Sequence, residues 1–308
     1  MKMDGRRESS NVVDNRKKNT KAAVGGVGGV SVVAVVLYFI LSGGQVDPAV
    51  VSQLSNSKGH TQTVTAAETR NSEFYKNSSF ENQDALAKFT SQVLASTEET
   101  WTGKFKEMNK QYAYPKMMLF TGEVDTACGH ASSSFGPFYC SGDQTVYIDL
   151  EFLETMKKTL RLKSKEDNLD FAFAYVIAHE VGHHVQNLTG DLAKYNRQEA
   201  ALKKQGNTAA ANLVSVQIEL QADCYAGVWG RTENELYKSL DADDFSSAFD
   251  AAKGVGDDTL GNTRRDTFSH GSAKMRQAWF ATGFTTGDPA QCDTYKYTSL
   301  DALESKKY

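Results

Sequence analysis

His179-Glu180-Val181-Gly182-His183 is the stretch on which the reading of this chain turns. It fits H-E-x-x-H, the spacing with which two histidines grip a zinc ion. Residues four apart on a helix lie nearly one above the other, so both imidazoles face one point. Glu180 projects beside them, where a carboxylate can take a proton from a zinc-activated water. The motif carries meaning only on a helix, and its flanks supply one. Phe173, Ile177, Val181, Val185 and Leu188 form an apolar stripe at helical spacing on the side away from the two histidines. Asn168 or Ser164 is a candidate start and Gly190 a candidate stop. The plain alternative is two surface histidines with an unrelated glutamate. His184 is rotated about 100° from His183, which makes it a helix neighbour and not a ligand.

A zinc site that does chemistry needs a third protein ligand and an open position. The next acidic helical stretch offers the ligand. It runs from a cap at Asn207 through Leu220 and Val228 to a stop at Gly230, and it contains Glu219-Leu220-Gln221-Ala222-Asp223. Glu219 and Asp223 are one turn apart on one face. Glu219 reads as the third ligand and Asp223 as a carboxylate that orients a ligating histidine. A solvated acidic face is the alternative. Ser215, Ala222 and Ala226 around them are small, and so is Gly182, although glycine costs a helix about 1 kcal/mol against alanine. Small residues suit two helices that must share one ion.

With 308 residues, 40% hydrophobic and 23% charged, the chain suits one globular domain of middling size with appendages. A net charge of -4 gives no reason to expect a nucleic-acid partner. The charge is uneven. Lys2, Arg6, Arg7, Arg16, Lys17, Lys18 and Lys21 crowd the start, against Asp4, Glu8 and Asp14, and residues 22–44 then carry no charge. That apolar stretch is long enough to cross a bilayer, which takes about 20 residues, and the basic flank puts the N-terminus in the cytoplasm. A cleaved signal peptide is the rival reading. The expected organisation is a basic cytoplasmic segment at 1–21, a transmembrane helix at 22–44, and a flexible linker at 45–80 rich in Ser, Thr, Asn, Gln and Lys. A catalytic domain at 81–298 follows, outside the cytoplasmic membrane in the periplasm or at the cell surface, with a polar tail at 299–308.

Within the domain, Leu86, Phe89, Val93, Leu94, Trp101 and Phe105 predict an amphipathic helix from Asp84 to about Gln111. Pro115 to Glu123 and Thr145 to Leu150 read as strands, with a helix after them at 151–161. The second strand is either an ordinary member of a sheet or an edge on which an extended substrate pairs, with Tyr147 lining the cleft. Cys128 and Cys140 bracket a stretch of loop composition. Outside the cytoplasm a disulfide between them is favoured, and a metal role with His130 is the alternative. Four cysteines allow three pairings. Cys128–Cys140 with Cys224–Cys292 is the expected set, against buried free thiols at the latter two. Asp241 to Lys253 reads as a further helix. Phe268-Ser269-His270-Gly271-Ser272 then leads into a helix with Met275, Trp279, Phe280 and Phe284 on one face. His270 and Arg276 are candidates to stabilise an oxyanion. A cap or surface role is the plain alternative for His270.

These residues resemble the bacterial putative neutral zinc metallopeptidase family, whose members are membrane-anchored. The likeness starts in Gly5-Arg6-Arg7-Glu8-Ser9-Ser10-Asn11-Val12 and runs through the apolar segment. It continues in Ala127-Cys128-Gly129, Gly136-Pro137-Phe138-Tyr139-Cys140, His179 to Gln186, Glu219 to Gly227, and Gly287-Asp288-Pro289-Ala290-Gln291-Cys292-Asp293. Met3-Asp4 and Val13-Asp14 depart from the family's pattern, away from the chemistry. The resemblance implies Zn²⁺ on His179, His183 and Glu219, with Glu180 as general base. The Glu219-x3-Asp223 pattern is similar to that of thermolysin-like zinc peptidases, and His270 to Arg276 is similar to a His-x5-Arg stretch of heat-shock membrane metalloproteases. The implied fold is α+β and mainly helical, a zincin-like domain with a small sheet. The expected function is a zinc-dependent endopeptidase acting on a peptide or protein, held at the membrane by its N-terminal helix. A non-catalytic, zinc-stabilised envelope module that binds a partner, or a zinc amidase acting on cell-wall peptides, are the rival expectations.

Overall fold

A computed structural model of the chain describes residues 1–16, 80–159 and 169–306. The elements run β1 (Val12–Asp14), α1 (Gln83–Glu107), β2 (Lys116–Phe120), β3 (Glu123–Thr126), β4 (Gly129–Ser132), β5 (Phe138–Cys140) and β6 (Thr145–Asp149). They continue as α2 (Phe152–Thr159), α3 (Leu169–Thr189), α4 (Asp191–Lys204), α5 (Thr208–Tyr237), α6 (Ala242–Gly254), α7 (Ala273–Thr286) and α8 (Leu300–Glu304). The fold is α+β, mainly helical with a small sheet. The helix expected at 22–44, the linker up to residue 79 and the candidate caps Ser164 and Asn168 lie outside the described residues. Among the described residues no helix is long and apolar enough to cross a membrane.

The H-E-x-x-H stretch lies on α3, whose apolar stripe Phe173, Ile177, Val181 and Val185 is buried. Glycine at 190, in the left-handed region at φ 89°, ends it and turns the chain into α4. Asn207 caps α5 by accepting from the N–H of Ala210. Gly230, expected to stop α5, lies in its interior, because the helix packs its face at Gly230 on the rings of Phe284 and Phe171. The helix ends two turns later, at Lys238. Two close crossings fix α5. A methyl at Gly182 would meet the backbone of Ala222 at 3.0 Å, and one at Gly227 would meet the Phe280 carbonyl at 2.1 Å. So α3 and α7 both lie against α5 almost backbone to backbone.

The sheet has order β1-β2-β6-β5, with β1, β2 and β6 parallel and β5 antiparallel to β6. β6 is therefore a central strand and not the edge. Tyr147 is buried, stacked on Phe138, and donates its hydroxyl to Asp143, so it lines no cleft. The edge next to α3 is β5. It escapes a composition reading because it is short and sits inside the Gly- and Ser-rich stretch. That stretch is no open loop. It forms the β3–β4 hairpin, which Cys128–Cys140 ties to β5. Cys224–Cys292 joins α5 to the segment after α7. The expected tail also forms a helix, α8, because Leu303 is fully buried and its carbonyl accepts from the Trp279 indole.

The largest departure concerns residues 1–16, expected as part of a separate cytoplasmic segment. They form a strap across the domain. Helix α1 buries Thr90, Ser91, Gln92, Ser96, Thr97 and Glu98 as well as its apolar side, and the strap covers this polar face. Glu98 accepts from Arg7, Ser9 and Asn11. Glu233 of α5 accepts two hydrogen bonds from Arg6 and one from Ser96. The Met1 ammonium lies between Asp170 and Asp244, at 2.7 and 2.5 Å. β1 then pairs with β2, and Arg16 reaches the start of α1 at Gln83 and Asp84. These contacts hold residues 1–16 against the domain.

Arg6→Ala should therefore destabilise the full-length protein. It leaves the Glu233 carboxylate, 1% exposed, with the Ser96 hydroxyl but without the Arg6 charge. The expected loss lies in the lower part of the roughly 3–5 kcal/mol range for breaking a buried pair, because Arg6 is itself partly exposed. Urea melts of wild type and variant measure it, and an unchanged midpoint would show the strap to be a passive cover.

Candidate metal centre

The crossing of α3 and α5 brings His179, His183 and Glu219 together, with one potential ligand atom of each within 4.8 Å of the others. Glu219 Oε2 lies 3.2 Å from His179 Nε2, and Oε1 lies 3.6 Å from His183 Nε2. Ligand atoms about 2.0–2.1 Å from a tetrahedral zinc lie about 3.4 Å from one another, so these separations suit one ion between them. The donor chemistry fits as well. His179 Nδ1–H donates to Asp223 Oδ1 at 2.9 Å, and His183 Nδ1–H donates to Gln186 Oε1 at 2.8 Å. Gln186 is fixed in this sense because its amide nitrogen donates to the Ile218 carbonyl and to Gln221. Both imidazoles thus have the proton on Nδ1 when neutral and turn the Nε2 lone pair toward Glu219, the tautomer a metal ligand needs.

Asp223 is the anchor behind the ligands. Its Oδ1 accepts from Tyr175, His179 and Arg276, and its Oδ2 from Arg276. Burial opposes its charge, but Arg276 and His179 outweigh burial and hold its pKa below the ordinary value. Glu219 behaves alike. Burial works against ionisation, and His183, His179 and His270 together bring its pKa well below the usual range. Burial lowers the pKa of His179, yet Asp223 and Glu219 lift it to about 10 in the metal-free site. Glu180 is pushed up to about 7, first by burial and then by Glu219, against the lowering effect of His179, Arg276 and the Tyr139 backbone N–H.

The sequence-derived candidates separate clearly. His179, His183 and Glu219 converge, with Glu180 beside them and Asp223 behind His179. His270 stands in the loop before α7, near enough to Glu219 to lower its pKa, but it is not one of the converging group. Arg276 is buried, with Nε and Nη2 on the two oxygens of Asp223 and Nη1 on the Val255 carbonyl, so it holds the anchor and does not face a substrate oxyanion. His184 is spoken for, with Nδ1 on the Tyr139 hydroxyl and Nε2 on the Ala113 carbonyl. Cys128 and Cys140 are joined to each other, and His130 faces solvent beside Asp125, so the metal alternative there falls away. Tyr175 and Gln186 were missed. Tyr175 lies four residues before His179 and Gln186 three after His183, so helical spacing from the ligands could have found both.

A two-histidine, one-glutamate group on crossed helices, with a further carboxylate beside it, is a donor set that can hold a zinc ion. The chain is a member of the putative neutral zinc metallopeptidase family, whose profile matches residues 1–295. It is similar to uncharacterized protein YpfJ of Escherichia coli K12, 39% identical over 96% of this chain and 99% of that protein. It is also similar to uncharacterized protein Rv2575 of Mycobacterium tuberculosis H37Rv, 42% identical over 64% of this chain and 67% of that one. No solved structure matches the chain.

Because His179 in the metal-free site holds its proton up to about 10, metal binding near neutral pH must release that proton. Apparent zinc affinity should rise with pH over this range. Calorimetry in two buffers of different ionisation enthalpy reads the proton count directly. Asp223→Ala should lower affinity about 10–100-fold, the usual effect of losing a ligand's orienting partner.

Proposed function

We propose that this chain is a zinc-dependent endopeptidase. The observation that carries the reading is the three-ligand group next to Glu180. Among the described residues only three His, Cys, Asp or Glu side chains converge. A structural zinc site is closed by four protein ligands, and a catalytic one keeps a position open. A non-catalytic module would also have no use for a buried carboxylate whose pKa is pushed up to about 7.

His179, His183 and Glu219 would hold the ion. Zinc, when bound, supplies a Lewis acid that polarises the scissile carbonyl and makes water nucleophilic near neutral pH. Glu180 takes the proton of the attacking water and passes it to the leaving amine, a task suited to a pKa near the working pH. His270, near enough to lower the pKa of Glu219, donates to the oxygen on which negative charge develops. The substrate is an extended peptide lying along the outer edge of β5. The Tyr139 N–H of that strand faces Glu180, so a chain added to this edge runs past the base. The two disulfides support an oxidising compartment outside the cytoplasm as the place of work, with residues 1–16 on the same side.

The test uses the full-length protein, its zinc content, and cleavage of casein. Glu180→Gln should keep zinc and lose at least about 100-fold in kcat, the lower end for general acid–base catalysis. Cleavage that survives this change sinks the proposal. Glu180 is active only as the carboxylate, so kcat/KM should fall as pH drops, with an acid limb at or below about 7. A nearby cation can only lower that limb.

A further inference from the structure

His270 is presented by a loop with an unusual support. Asp257, just beyond α6, is 1% exposed. Its Oδ2 accepts from three successive backbone N–H groups, those of Ser269, His270 and Gly271, at 2.9, 2.8 and 2.9 Å. Its own N–H donates to the Gly271 carbonyl at 2.9 Å. From the other side the loop rests on the helix that carries Glu219. Ser215 donates to the Ser269 carbonyl, and a methyl at Gly271, φ 90°, would meet Val216 at 3.2 Å. The backbone of 269–271 is thus clamped between Asp257 and α5.

The second carboxylate oxygen is the telling atom. Asp257 Oδ1 is buried with no hydrogen-bond partner, a costly state for a carboxylate oxygen. It lies 3.5 Å from His270 Nδ1. Ser269 Oγ lies 3.0 Å from the same nitrogen. Both oxygens face Nδ1, which leaves Nε2 as the nitrogen free to meet a substrate. The separation from Asp257 is one that commonly tightens only when substrate binds.

We propose that Asp257 is the positioning residue for His270. One oxygen fixes the loop backbone, and the other accepts a hydrogen bond from Nδ1–H, so that the imidazole faces the cleft by Nε2. This rests on the peptidase reading for its effect on rate, but the placement of the proton can be read without any activity. Asp257 touches neither the metal ligands nor Glu180, and no sequence motif marks it.

Asp257→Asn separates the two jobs. The amide keeps an oxygen for the three N–H groups and replaces the free oxygen by a donor that cannot accept the Nδ1 proton. In full-length protein labelled with ¹⁵N-histidine, the His270 ring should be protonated on Nδ1 in wild type and shift toward the Nε2-protonated form in the variant. A wild-type ring unprotonated on Nδ1, accepting from Ser269, overturns the proposal whether or not the protein is a peptidase and whether or not the variant folds. For turnover, Asp257→Asn should lower kcat about 10–100-fold, as expected for an orienting partner, with KM changed less than about twofold. In a His270→Ala background the same change should cost nothing further, since the two residues act as a unit. An equal loss in both backgrounds would falsify the assignment and mark Asp257 as a purely structural brace. Should wild type show the expected ring but cleave nothing, the peptidase reading fails and the positioning stands.

Discussion

A fully buried carboxylate, Asp223, is the point on which the centre depends. Left alone at that depth it would be neutral or the helix would not pack, because desolvating an unpaired charge costs several kcal/mol. It stays ionised because Arg276 grips it through both oxygens from α7 while His179 and Tyr175 donate from α3. One side chain of α5 is thereby bonded to both helices that flank it. The same carboxylate fixes the His179 tautomer. Removing its charge would therefore loosen the helix packing and the ligand orientation together.

The glycines make that arrangement possible. Gly182 lets α3 approach α5, and Gly227 with Gly283 lets α7 approach from the other side. A wider crossing would hold Glu219 away from the two imidazoles and would stretch the Arg276–Asp223 pair. All three glycines carry a cost in helix propensity. The close contacts offset it by bringing buried polar groups within hydrogen-bond range. The Cys224–Cys292 bridge follows Asp223 by one residue and pins the same part of α5 to the chain beyond α7.

The strap extends the same logic to the far side of the domain. Glu98 and Glu233 are buried acids on α1 and α5, and their cations come from residues 6 and 7. The Met1 ammonium sits at Asp170, at the start of the helix that carries His179 and His183 nine and thirteen residues later. The N-terminal residues are therefore bonded to the outer end of α3 and to α5, the helix that carries Glu219.

How much of this was legible depended on the range of the interaction. The helix of His179 and His183, the cap at Asn207, the one-turn spacing of Glu219 and Asp223 and the small residues at the crossing are local patterns, and each was readable from neighbours three or four residues apart. Helical periodicity put His179 and His183 on one face and Glu219 and Asp223 on another, and so made them candidates. The role of Arg276, the support of His270 by Asp257, the central place of β6, the short edge strand β5 and the docking of residues 1–16 were decided by tertiary structure. Each depends on partners far away in the chain, and a charge such as Arg6 looks the same in sequence whether it faces water, lipid headgroups or a buried glutamate. Sequence determined which residues could bind a metal; only the packing of α3, α5 and α7 decided what holds them still.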